Sequence, residues 1–80
     1  MAKVETTRRN LRLAAEHRER AVAERALADE LQRTGALEQA ERHLIDAVLH
    51  DGRADAFEAA AREGRAAPAG TRPRPGPASR

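Results

Sequence analysis

Residues 4–33 contain neither proline nor glycine and are rich in alanine, leucine, glutamate and arginine, all strong helix formers. Within them Val4, Leu11, Ala14, Ala15, Val22 and Ala26 recur at the helical period, and Leu13, Leu27 and Leu31 widen the stripe. The pattern predicts one long helix over 4–33. Thr34-Gly35 interrupts it, and a glycine there can take the left-handed conformation that ends a helix. Residues 36–50 are the clearest amphipathic segment. Leu37, Ala40, Leu44, Ala47 and Val48 form the face predicted to turn inward. Glu38, Gln39, Arg42, His43, Asp46 and His50 form the face predicted to meet water. Asp51-Gly52 is a turn signal, so a short third helix is expected over 53–63, with Ala54, Phe57, Ala60 and Ala61 on its inner side and Gly64 ending it.

Residues 65–80 change character. All four prolines, two of the five glycines and four arginines fall there. Such a segment has too little apolar area to bury, and the sequence predicts a disordered basic tail. The expected organisation is therefore an all-α helical domain over 1–64, a short bundle, followed by a tail over 65–80.

Composition sharpens this picture. Apolar residues make up 40% of the 80, yet Phe57 is the only aromatic and there is no cysteine. Most of the apolar residues are alanine, so a monomer would be helical but weakly packed, and a second chain, identical or different, is expected to help. Disulfides, thiolate metal sites and cysteine nucleophiles are excluded. No apolar run approaches the roughly 18 residues of a membrane span, and Met1–Arg12 carries charge throughout with no apolar signal-peptide core. The expectation is a cytoplasmic protein without a membrane partner.

The segment 21–54 resembles one tetratricopeptide (TPR) unit, a 34-residue helix–turn–helix with small and large apolar residues at fixed places. Leu27-Ala28 stands at the Leu-Gly position, Leu31 where the family has a large aromatic, and Gly35 at the interhelical glycine. Ala40, Leu44 and Ala47 match the small–large–small positions of the second helix. Glu24 departs from the common tryptophan, Gly52 from the common proline, and shifting by 34 residues finds no second copy. The resemblance implies a helical hairpin that binds another protein. Its packing and interaction residues would be Leu27, Ala28, Leu31, Gly35, Ala40, Leu44 and Ala47.

Candidate chemistry is sparse. His43, Asp46 and His50 stand at i, i+3 and i+7, residue types that ligate zinc, but the spacing is loose and the expected reading is a solvated helix face with no metal and no cofactor. Ser79, the only serine, lies in the tail, and no carboxylate accompanies a nucleophile or Gly-rich motif, so catalysis is not expected. Lys3, Arg8, Arg9 and Arg12 cluster near the start and with the tail arginines are candidate phosphate contacts, although aromatic stacking groups are missing. Ala14, His17, Ala21, Glu24, Ala28 and Leu31 alternate by three and four, but read as too polar for a coiled-coil seam. Close alanine packing in a bundle or dimer is the expectation instead.

The sequence thus reads as a non-enzymatic protein–protein interaction or adaptor module, using its hairpin against another protein or its own copy. The alternative is a nucleic-acid-associated accessory protein touching phosphates through its basic ends.

Overall fold

The computed structural model describes residues 2–67 and shows an antiparallel pair of long helices, α1 (Ala2–Arg33) and α2 (Leu37–Glu63). No strand occurs among the described residues. The first helix and the break at Thr34-Gly35 fall where the pattern places them. The tail expected to be disordered lies, from residue 68 onward, outside the described residues.

Both helices stop in the same way. Gly35 has φ 86°, its N–H donates to the Gln32 carbonyl, and the Ala36 N–H reaches back to the Leu31 carbonyl at 2.9 Å. Gly64 sits at φ 67° and ψ 31°, with its N–H on the Ala61 carbonyl and the Arg65 N–H on the Ala60 carbonyl. This pairing of bonds around a left-handed residue satisfies the last carbonyls of a helix, and glycine takes that backbone without steric cost. The Asn10 amide, 3% exposed, donates to the Arg65 carbonyl at 2.9 Å and ties the end of α2 to α1.

Asp51-Gly52 does not end a helix. The second helix continues through it to Glu63, so the expected separate helix over 53–63 is instead the last part of α2. The physical reason is that a lone glycine weakens a helix without breaking it, and the packing of Ala47 and Ala54 against α1 on either side, both 0% exposed, holds the backbone helical. A pair of substitutions separates the two glycine roles. Gly52 has nothing within 4 Å of an added Cβ, so Gly52→Ala is expected to stabilise the protein by about 1 kcal/mol in urea unfolding. Gly35 also has open space but a positive φ, so Gly35→Ala is expected to destabilise by about 1 kcal/mol.

The core consists of alanines. Ala14, Ala21 and Ala28 on α1 and Ala40, Ala47, Ala54 and Ala60 on α2 are at most 2% exposed, and no large side chain is fully buried. Six of the seven stand seven residues apart on their helix. Between them on α1 come Asn10, His17, Glu24 and Leu31, and on α2 His43, His50 and Phe57. The contacts His17–His50 and Glu24–His43 fix the register: seven residues up α1 correspond to seven down α2. In that register the alanines at 14, 21 and 28 come level with those at 54, 47 and 40. Methyl groups let two helix axes approach toward the lower end of the usual 8–10 Å.

This seam corrects several expectations. The series Ala14, His17, Ala21, Glu24, Ala28 and Leu31, judged too polar, is the α1 side of the interface. His43 and His50 are half-buried toward α1, not on a solvated face. Of the residues expected to turn inward, Val4, Leu11, Val22, Leu37, Leu44 and Val48 are 37–66% exposed. Ala15 and Ala26 are exposed too. Among the proposed packing residues, Ala28, Ala40 and Ala47 are buried and Leu31 is half-buried, whereas Leu27 and Leu44 are 45% and 37% exposed. The branched chains lose the contest because a leucine at the closest approach would hold the helices apart. Polar rings of the right length fit beside alanine and keep hydrogen bonds.

Candidate interaction surface and polar seam

Two polar layers cross the seam. In the first, the Nδ1 atoms of His17 and His50 lie 2.9 Å apart, so one imidazole donates and the other accepts. The two rings stack at 5.1 Å between centroids, and Phe57 stacks with His17 at 5.8 Å. Burial lowers the His17 pKa from its ordinary value, and positive charge on His50, Arg53 and Arg20 lowers it further against the opposing pull of Glu16. In the second layer His43 Nδ1 pairs with Glu24 Oε1 at 2.5 Å. Every buried side-chain nitrogen and oxygen among the described residues has a partner, so these layers are satisfied and not orphaned.

The sequence groups His43, Asp46 and His50, but the fold divides them. His50 turns to His17, and Glu24 from α1 joins His43 and Asp46, with one ligand atom of each within 4.8 Å of the others. One imidazole nitrogen and two carboxylate oxygens are donors a divalent cation accepts, and two of the three groups, His43 and Glu24, already pair with each other across the seam. Glu24 escaped sequence reasoning because it lies 19 residues from His43, and only the register brings it there.

One side of the hairpin carries a cluster of ions. Arg18 reaches Asp51 at 3.2 Å, Asp55 at 2.7 Å and Glu58 at 2.8 Å, and Arg25 reaches Asp51 at 2.5 Å. Arg25 and then Arg18 hold the Asp51 carboxyl below the usual carboxylate range, with desolvation acting the other way. The hydrogen bonds from Glu58, Asp55 and Asp51 hold the Arg18 proton more tightly than usual. These groups are substantially solvated, so the network serves alignment of the helices more than stability.

The contacts of that cluster also settle which rows share its side. Val4 and Leu11 stand at seven-residue steps below Arg18, and Val22 lies between Arg18 and Arg25. Leu37 and Leu44 stand at seven-residue steps below Asp51, and Val48 stands seven below Asp55. Thus six of the nine exposed large aliphatic residues lie on one side of the pair, around an island of ion pairs. Leu27 and Leu49 belong to the other side, and Ile45 to the outer surface of α2.

The candidate phosphate contacts Lys3, Arg8, Arg9 and Arg12 are exposed. Arg8, Arg9 and Arg12 share one face of α1 by their three- and four-residue spacing, and Lys3 lies apart from them. Lys3 lies beside Gly64 across the open end of the hairpin. No described helix is long and apolar enough to cross a membrane. Comparison with protein-family models, with curated proteins and with solved structures finds no match to this chain.

Proposed function

We propose that this chain is a non-catalytic protein–protein interaction module whose working surface is the ion-bearing side of the hairpin. The observation that carries the reading is the inversion of its apolar residues: alanines fill the seam, while Val22, Leu44 and Val48 are 66%, 37% and 64% exposed on one side. Large exposed aliphatic chains grouped on one side beside charged residues are characteristic of a site that another protein covers. The hairpin geometry of the TPR-like resemblance over 21–54 agrees with a binding role, although the alanine seam runs past both ends of that segment.

The test is affinity capture from native cells with tagged full-length protein. Proteins retained by the wild type and by the outer-surface variant Ala26→Glu, but lost from Val22→Glu/Val48→Glu of equal helicity, are the expected result. An identical captured set from all three would overturn the reading. The second reading, phosphate contact through exposed Arg8, Arg9 and Arg12, predicts that nucleic-acid affinity falls steeply with salt, whereas apolar docking does not.

A further inference from the structure

We propose that the chain's partner on this surface is a second copy of itself, forming an antiparallel four-helix bundle about a two-fold axis that runs parallel to the helices. The proposal rests on the interaction reading above and names its occupant. Three observations select the second copy.

The first is size. A paired segment the length of α2, 27 residues, is about 40 Å long at 1.5 Å per residue. Two helices side by side, their axes about 8–10 Å apart, then present a face of roughly 700 Å². That is close to the roughly 800 Å² per partner of a standard stable interface, without any further chain.

The second is charge. On this side the α1 edge carries Arg8, Arg18 and Arg25 against one acid, Asp29, and the α2 edge carries Glu41, Asp51, Asp55 and Glu58 against one base, Arg62. A two-fold axis parallel to the helices lays α1 of one copy over α2 of the other at the same height. The basic edge then meets the acidic edge twice. An axis across the helices would lay α1 on α1 and set arginine over arginine. The face is therefore self-complementary in only one of the two arrangements.

The third is apolar matching in that same arrangement. By the seam register, Val22 lies level with the stretch of α2 between Leu44 and Val48. The two-fold operation therefore brings Val22 of one copy against Leu44 and Val48 of the other. Each helix also gains only antiparallel neighbours, so that helix dipoles are opposed throughout. The bundle buries the large aliphatic chains that the alanine seam excludes.

The test uses the full-length chain in sedimentation equilibrium at about 100 μM, far above the dissociation constant of a micromolar dimer. The expected result is twice the chain mass, reduced to the single-chain mass in Val22→Glu/Val48→Glu and unchanged in Ala26→Glu. The axis is tested separately with Gln32→Cys, on the same row as Arg18 and Arg25 in a chain without other cysteines. A short bis-maleimide is expected to link two copies efficiently, because both loops lie at one end. Absence of that link in a dimer would overturn the stated axis. Single-chain mass for the wild type would overturn self-association. In that event a hydrophobic dye that binds the wild type, but not Val22→Glu/Val48→Glu, keeps the interaction reading for another protein; no dye binding ends both.

Discussion

Ala47→Leu is expected to be the most damaging single substitution in the hairpin. Ala47 is 0% exposed and comes level with Ala21 in the middle of the seam. Three added carbons have no void to enter, so the helices must separate or the leucine must leave its preferred rotamer. Overpacking of this kind costs about 1–3 kcal/mol. Separation would also loosen the His17–His50 and Glu24–His43 layers on either side, which puts the expected loss at the upper end. A chain whose buried side chains are nearly all alanine has little stability in reserve, so far-UV circular dichroism should show a large fall in melting temperature. Ala26→Leu, exposed on the outer surface of α1, should change stability by no more than about 0.5 kcal/mol. Equal effects at the two sites would mean that Ala47 does not face α1.

Replacing the imidazole pair is expected to act in the opposite direction. His17→Leu/His50→Leu exchanges a polar layer beside the alanines for an apolar one of similar volume, and removing both partners of a hydrogen bond together is nearly neutral to stabilising. It should also remove a pH dependence. Burial and the charges of His50, Arg53 and Arg20 make the folded protein bind the His17 proton more weakly than the unfolded chain does. The folded pKa lies below the unfolded one, so this contribution to stability is complete above an ordinary histidine pKa of about 6.5. It is lost as pH falls below that value and through the lower folded pKa. When both rings are protonated, each Nδ1 carries a proton, the bond between them is gone and two positive charges face each other. The wild type should therefore melt at a lower temperature at pH 5 than at pH 7.5, and the double-leucine variant should show a much smaller difference. A wild type that gains stability on acidification would contradict this account of the layer.

Helix content, the first helix boundary and both glycine stops were legible in the sequence, because each follows from local preference. Residues 4–33 hold no breaker, and Gly35 and Gly64 occupy the one backbone region where glycine has the advantage. The continuity of α2 was not legible, because Asp51-Gly52 is a turn by local preference and a helix only by virtue of the alanines packed on either side. The buried face was legible for Ala14, Ala40, Ala47, Ala54 and Ala60, which turn inward as expected, but not for the larger chains grouped with them, for a related reason. Hydrophobic periodicity finds the side with the largest apolar chains, and here that side is exposed. The seam is chosen by size: Ala14, Ala21 and Ala28 permit closest approach on α1, as Ala40, Ala47 and Ala54 do on α2. The histidines were seen as candidate ligands, but their partners His17 and Glu24 belong to another helix. Register, a tertiary quantity, decides those pairs.

The alanine seam and its register can be trapped by disulfide formation. The chain has no cysteine, so His17→Cys/His50→Cys and His17→Cys/His43→Cys can be compared under mild oxidation at low protein concentration. Rapid intramolecular closure of the 17–50 pair is expected. None is expected for 17–43, whose second cysteine is displaced by seven residues, about 10 Å along the helix. Preferential closure of 17–43, or closure of both at equal rates, would contradict the register and with it the alanine seam.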